Sequence, residues 1–231
     1  MHNVELIHVT PDAESLIAYM ARVSNPNAKQ GDPSAKLIKY LIDHKHWSPF
    51  EMVNMCVQIE TTRSVAAQIL RHRSFSFQEF SQRYAEVTQA PAPLHLRRQD
   101  TVNRQNSIDD LDPTVVSEFN LKIYGLFEQS LALYDDMLKA GVAKECARDV
   151  LPLASPTKLY MNGSLRSWLH YTDLRCANGT QLEHQTVANG VKQLLLEQFP
   201  TVSEAMWTGA RRASTRSGLG YWLTTAPVKD T

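Results

Sequence analysis

The sequence of 231 residues predicts a single α+β domain over 1–231, and three observations carry that reading. Apolar residues make up 43% and the formal charges cancel, 24 Lys+Arg against 24 Asp+Glu, which describes a globular chain with enough apolar surface for a core. A few stretches alternate apolar and polar residues with the period of a strand. Many more repeat their apolar residues at helical spacing, and the two kinds do not alternate strictly along the chain.

The first strand is Val4 to Val9. Thr10-Pro11 then reads as a helix cap followed by proline, with Leu16, Ile17, Met20 and Val23 on the helix. Asp32-Pro33 repeats that signal before the stripe Leu37, Ile38, Leu41 and Ile42. His46 to Glu51 is a proline-interrupted loop. Met52 to Thr61 is a strand in which Val53, Met55, Val57 and Ile59 face one way and Asn54, Cys56, Gln58 and Glu60 the other. A short helix over Ser64 to Arg71 leads into a polar, aromatic stretch from His72 to Glu86. Residues 90–108, with Pro91 and Pro93, form a long loop. Asp112-Pro113 opens the longest helix, which ends at the cap residue Gly141. Helices over Ala143 to Val150, Leu165 to Leu174, Gln181 to Phe199 and Thr201 to Arg212 follow, with a strand at Thr157 to Asn162 and a loose tail over 217–231.

Several function classes are set aside. A protein held to nucleic acid by bulk charge would be basic, and this one is neutral. No run of about 18 apolar residues could span a membrane. Cys56, Cys146 and Cys176 are odd in number and widely spaced, so no disulfide framework or zinc spacing is expected. With no signal peptide visible in Met1 to Thr10, a cytoplasmic location is expected. Neither GxGxxG in a strand–helix context nor GxxxxGK[ST] is present, so phosphates would have to be held by Arg, Lys, Ser, His or helix N-termini.

The informative segment runs from Gln68 to Tyr84 and holds Arg71, His72, Arg73, Glu79, Ser81 and Arg83. Gln68 and Arg71 are three apart, which puts them on one helical face. Arginine forks suit phosphates and planar carbonyl edges, because each offers paired donors. The bland reading is a solvated charged turn.

The pattern is narrower than that. Arg71-His72-Arg73, seven residues, then Ser81 resembles the signature of the flavin-dependent thymidylate synthases, the ThyX family. Four fixed identities match by chance at roughly one start in 100,000. His46-x-Ser48-Pro49-Phe50-Glu51, Ser81-Gln82-Arg83-Tyr84, Arg148-x-x-Leu151-Pro152 and Arg166 to Arg175 with Gln181 and Glu183 resemble further blocks of the family, in its order, over about residues 46 to 185. The sequence departs from the common pattern at Ser164 and His170, where many members have Asn, and at Met52, where a histidine is frequent.

The resemblance implies a ThyX-like domain, with an antiparallel or mixed sheet and a long central helix, that assembles as a homotetramer with shared active sites. It implies synthesis of dTMP from dUMP, with methylenetetrahydrofolate as one-carbon donor and NADPH as reductant through tightly bound FAD. By resemblance, His46, Ser48, Arg71, His72, Arg73, Glu79, Ser164, Arg166 and His170 would hold FAD. Gln68, Arg71, Glu79, Phe80, Ser81, Gln82, Arg83, Arg148 and Arg175 would contact dUMP. Arg175 would sit against the uracil and favour ionisation at N3, raising electron density at C5. No metal, nucleic acid or membrane partner is implied. Glu183 could orient an arginine or be a surface carboxylate. His184 is assigned no role, and Arg97, Arg98 and Arg104 stay unassigned. The alternative is a nucleotide- or RNA-binding module that uses the same arginines without redox chemistry.

Overall fold

The structure, a computed structural model, describes residues 2–24, 27 and 34–208. In chain order its elements are β1 (Asn3–Val9), α1 (Ala13–Ala21), α2 (Ala35–Asp43), a 3-10 turn (Ser48–Glu51), β2 (Asn54–Thr62), α3 (Arg63–Ile69), β3 (Ser76–Glu79), β4 (Arg98–Gln99), β5 (Ser107–Ile108), α4 (Pro113–Lys139), α5 (Lys144–Ala147), a second 3-10 turn (Arg148–Val150), β6 (Pro156–Ser164), α6 (Leu165–Arg175), α7 (Leu182–Gln198), α8 (Pro200–Ser203) and a π-helical turn (Glu204–Thr208). Two compact units result, one of residues 2–11 and 50–194, the other of the described residues among 12–49 and 195–208.

The first unit is built on a sheet of order β1-β2-β6-β3, antiparallel at every pairing. The alternation read in the sequence sets its inner face: Val53, Met55, Val57 and Ile59 are fully buried, while Asn54, Gln58 and Glu60 are half-buried. β2 and β6 pair along their whole length, from Asn54 opposite Ser164 to Thr62 opposite Pro156. Gly190 of α7 lies against Val4 of β1, and a Cβ there would come within 3.1 Å of Val4 Cγ2. Trp168 of α6 is fully buried and donates from Nε1 to the carbonyl of Met55 at 2.8 Å. A separate cluster of Val87, Tyr134 and Ala147 holds the long α4 both to the segment around residue 87 and to α5.

In the second unit, α1, α2 and α8 bury Ile17, Ala18, Ile38, Leu41, Phe199 and Val202. The Glu14 carboxylate accepts from the Val202 amide at 2.7 Å.

Several boundaries differ from the expectations, each for a local reason. The first helix begins at Ala13 rather than at Pro11, because Asp12 takes a left-handed conformation (φ 50°). α2 is capped by Ser34, whose hydroxyl accepts from the Leu37 amide; Asp32 and Pro33 lie outside the described residues. α3 stops at Ile69, so Arg71 is past the helix and does not share a helical face with Gln68. The aromatic stretch contains the short edge strand β3, and the long loop contains the β4–β5 pair. Asp112 caps α4 as expected, accepting from Thr114 N at 2.8 Å, and Gly141 adopts φ +86° beyond its end. The helix expected over Thr201 to Arg212 is a short α8 and a π turn as far as Thr208; the rest of it and the 217–231 tail lie outside the described residues.

Candidate active site

The site is assembled by two short connections and two helices of the first unit. Thr62, the last residue of β2, caps α3 by accepting from Val65 N, so the chain reverses at once along the sheet. The turn after α3 then delivers His72, and the His72 carbonyl accepts from the Phe75 amide at 3.2 Å. β3 starts with Ser76 opposite Asn162, which brings this turn beside the start of α6. There the Ser167 hydroxyl donates to the Ser74 carbonyl at 3.4 Å. Gly163 makes this approach possible, since its missing Cβ would stand 2.4 Å from Phe75 Cδ1.

At the far end of α6, Arg175 donates from Nε to His72 Nε2 at 2.9 Å. His72 must therefore be neutral at that nitrogen. Burial, and then the nearby Arg175 and His170, pull its pKa down to about 4. No other hydrogen bond of the Arg175 guanidinium is made among the described residues, so its terminal N–H pairs are free for a ligand. Tyr171 sits edge-on to His72 at 5.0 Å, and its burial raises the phenol well above its ordinary range. The ring of His184, fully buried on α7, lies 6.3 Å from that of His72. Its pKa is pulled to about 3 by burial, then by Arg175 and His72.

His184 extends the cluster by hydrogen bonds. Its Nε2 meets the Tyr171 hydroxyl at 3.1 Å and its Nδ1 meets Gln68 Oε1 at 3.3 Å. Gln68 Nε2 donates to Gln181 Oε1 at 2.6 Å, and Gln181 Nε2 donates to Glu183 Oε2 at 2.8 Å. Glu183 is gripped by both terminal nitrogens of Arg97, at 2.7 and 3.0 Å. Burial works against the Glu183 carboxylate, but the Arg97 fork, a backbone N–H and Gln181 outweigh it and lower its pKa.

The other expected residues fall elsewhere. Arg71 and Arg73 are exposed, and their guanidiniums have no hydrogen-bond or ion-pair partner among the described residues. Gln82 is buried and lines a cavity of about 330 Å³ with Arg63 and Arg148. Ser81 and Arg83 open instead onto a cavity of about 360 Å³ beside Lys144 and Glu145, where Arg83 pairs with Glu145. Glu79 accepts from Arg63 at 2.7 Å and from Thr157 at 2.9 Å. Phe80 borders a third cavity, of about 660 Å³. Ser164 caps α6 through the Ser167 amide, Arg166 pairs with Glu51, and His170 is exposed. His46 and Ser48 belong to the second unit, where the His46 ring stands 6.0 Å from those of Tyr40 and His44.

Sequence reasoning missed His184, Tyr171 and Arg97. A signal for His184 existed: it shares a buried stripe with Ala188, Val191 and Leu195, and a histidine on such a stripe must be hydrogen-bonded. Among the described residues no group of three or more His, Cys, Asp or Glu could hold a metal, and no helix is long and apolar enough to cross a membrane.

Residues 5–201 match a family model described as thymidylate synthase complementing protein. The chain is 49% identical over 195 residues to a probable flavin-dependent thymidylate synthase of Paramecium bursaria Chlorella virus 1, covering 84% of this chain and 90% of that one. It is 50% identical over 194 residues to the flavin-dependent thymidylate synthase of Synechocystis sp., with 84% and 89% covered. Among solved structures it resembles a UMP/dUMP methylase, PolB, from Streptomyces cacaoi bound with 5-Br UMP, at 25% identity and a TM-score of 0.79, covering 91% of this chain and 96% of that one.

Proposed function

The chain belongs to the flavin-dependent thymidylate synthase family, and from that premise we propose that it makes dTMP by reductive methylation of dUMP, with methylenetetrahydrofolate as one-carbon donor and NADPH as reductant. The observation that carries the site assignment is Arg175, held at Nε by a neutral His72 and free at its outer N–H groups. A guanidinium is a permanent cation with paired donors. Set against the edge of a uracil, it stabilises the negative charge that spreads over N3 and the carbonyls, and C5 becomes nucleophilic. The neutral acceptor aims the guanidinium without cancelling its charge, as a carboxylate would. C5 gains the methylene carbon, and its hydrogen leaves as a proton.

The residues fit a flavin. Arg71 and Arg73 are exposed cations without internal partners, as expected of groups reserved for a diphosphate or ring carbonyls. With Ser164, Arg166 and His170 they would hold FAD, which supplies, when bound, the reducing equivalents that turn methylene into methyl. Gln68, Ser81, Gln82, Arg83 and Arg148 would bind dUMP, whose phosphate calls for several cationic donors.

Self-association fits the same reading. On α4, Phe119, Leu126 and Leu133, seven residues apart and so on one helical face, are 50%, 62% and 51% exposed, an apolar surface suited to burial between copies of the chain. The nucleotide set is divided between separate cavities, as expected if each active site of a homotetramer draws on more than one subunit. One family match runs through both compact units, which favours a single functional domain. Nucleotide, reduced folate and NADPH together suit a cytoplasmic enzyme.

The test is release of tritium to water from dUMP labelled at C5, with FAD, NADPH and methylenetetrahydrofolate present. Release requiring both FAD and NADPH, and largely lost in Arg175→Ala, is expected. UMP is run beside dUMP, because the structural relative is called a UMP/dUMP methylase. Turnover of UMP alone would overturn the thymidylate reading. Salt-sensitive nucleotide or RNA binding without flavin uptake would replace it with a binding module.

A further inference from the structure

The hydrogen bonds that end on Gln68 have a fixed sense, and the residue that fixes it is linked to Gln68 only through Gln181. Amide and imidazole groups can usually be turned over without changing atom positions, so their direction is ambiguous. Here one end of the chain of bonds cannot be turned over. Glu183 is a carboxylate clamped by both outer nitrogens of Arg97, with side chains only 21% and 10% exposed, and an ionised carboxylate only accepts.

The rest follows by elimination. Gln181 must turn its nitrogen to Glu183, so its oxygen faces Gln68. Gln68 must then turn its nitrogen to Gln181 and its oxygen to His184. His184 must carry its proton on Nδ1, and its bare Nε2 accepts from the Tyr171 hydroxyl. One N–H and one lone pair of the Gln68 amide stay uncommitted, in a set order.

We propose that Glu183, locked by Arg97, is a positioning residue that sets the flip of the Gln68 amide, and so the order in which Gln68 presents donor and acceptor to the nucleotide. It acts through Gln181 and never touches the substrate. The arrangement also ties the segment between β4 and the preceding prolines, through Arg97, to the nucleotide-binding end of α3. The part concerning the nucleotide rests on the proposed role of Gln68 in dUMP binding; the part concerning the flip does not.

The test separates the two. Glu183→Gln is nearly isosteric but replaces the acceptor-only end with an amide that can turn either way. In protein labelled with 15N at histidine, wild type shows His184 protonated at Nδ1 only. Glu183→Gln is expected to show a mixture of tautomers, and Gln181→Ala, at an exposed position, likewise. A pure Nδ1 tautomer in both variants would overturn the proposal. Calorimetry then gives dUMP binding without turnover. Glu183→Gln is expected to weaken it roughly three- to tenfold, about the worth of one misdirected hydrogen bond, and to add nothing in a Gln68→Ala background. A full additional loss in that background would overturn action through Gln68. Tautomer mixing, with dUMP binding unchanged even in Gln68→Ala, would uphold the flip and refute the assumed role of Gln68.

Discussion

Gly163→Ala probes the packing that brings the His72 turn to α6. The new Cβ would lie 2.4 Å from Phe75 Cδ1 and 2.6 Å from Cε1. Carbon atoms in contact normally stand about 3.5–4.0 Å apart, so the Phe75 ring must retreat by about 1 Å. Behind it are Trp168, with ring centroids 4.6 Å away, and Tyr171, at 6.0 Å, both fully buried. Trp168 cannot yield freely, because its indole N–H is bonded to the Met55 carbonyl. Overpacking of this kind costs about 1–3 kcal/mol, or about 2–12 °C in Tm for a chain of this size. Urea unfolding monitored by tryptophan fluorescence measures it. Phe75→Leu removes much of the obstructing ring at its own cavity cost, and the double variant should be at least about 1 kcal/mol more stable than the two single losses predict. Because Phe75 is bonded through its amide to His72, Gly163→Ala should also weaken the Arg175–His72 contact and lower turnover. A wild-type urea midpoint for Gly163→Ala, or strict additivity in the cycle, would refute the reasoning.

Three further outcomes follow from the same geometry. His184 has a folded pKa of about 3 against the ordinary histidine value of 6.5, so its contribution to stability is complete above pH 6.5 and is lost as pH falls from 6.5 toward 3. Between pH 7.5 and pH 5 that loss is about 2 kcal/mol, and urea melts of His184→Phe should be flatter with pH by about that amount. Ser164→Ala should cost about 1 kcal/mol by removing the cap of α6, whereas Ser164→Asn should keep it, as thermal melts would show. Glu79→Ala leaves the Arg63 guanidinium and the Thr157 hydroxyl without their shared acceptor; with Glu79 only 18% exposed, a loss of about 1–3 kcal/mol is expected in chemical denaturation.

Much of this molecule was legible in its sequence, because the deciding signals are local. The alternation in β2, the Asp112-Pro113 start of α4 and the Gly141 beyond it depend on neighbours within a few residues, and the structure keeps all three. The family was legible for a similar reason: the Arg71-His72-Arg73 and Ser81 signature is contiguous. Local rules failed where a tertiary partner or a backbone strain intervened. β3 is four residues long and exists because β6 offers it an edge, and α1 starts late because Asp12 turns left-handed.

The candidate site divides along the same line. Residue types for holding an anionic nucleotide were visible at once, since arginine chemistry needs no context. Which of them meet was not. His72 and Arg175 are separated by 103 positions, Gln68 and His184 by 116, and Arg97 and Glu183 by 86. The path of the sheet, with α3 and α6 running from opposite ends of the β2–β6 pair, brings the turn after α3 to the end of α6, where His72 meets Arg175. The sequence alone determined the resemblance to the thymidylate synthase family, because the signature residues are written in one stretch. The tertiary structure decided that His72 is neutral, that Glu183 belongs to Arg97 and that His184 bonds to Gln68 and Tyr171 in the candidate site. Protonation, partner choice and direction are properties of burial and distance, which no stretch of sequence contains.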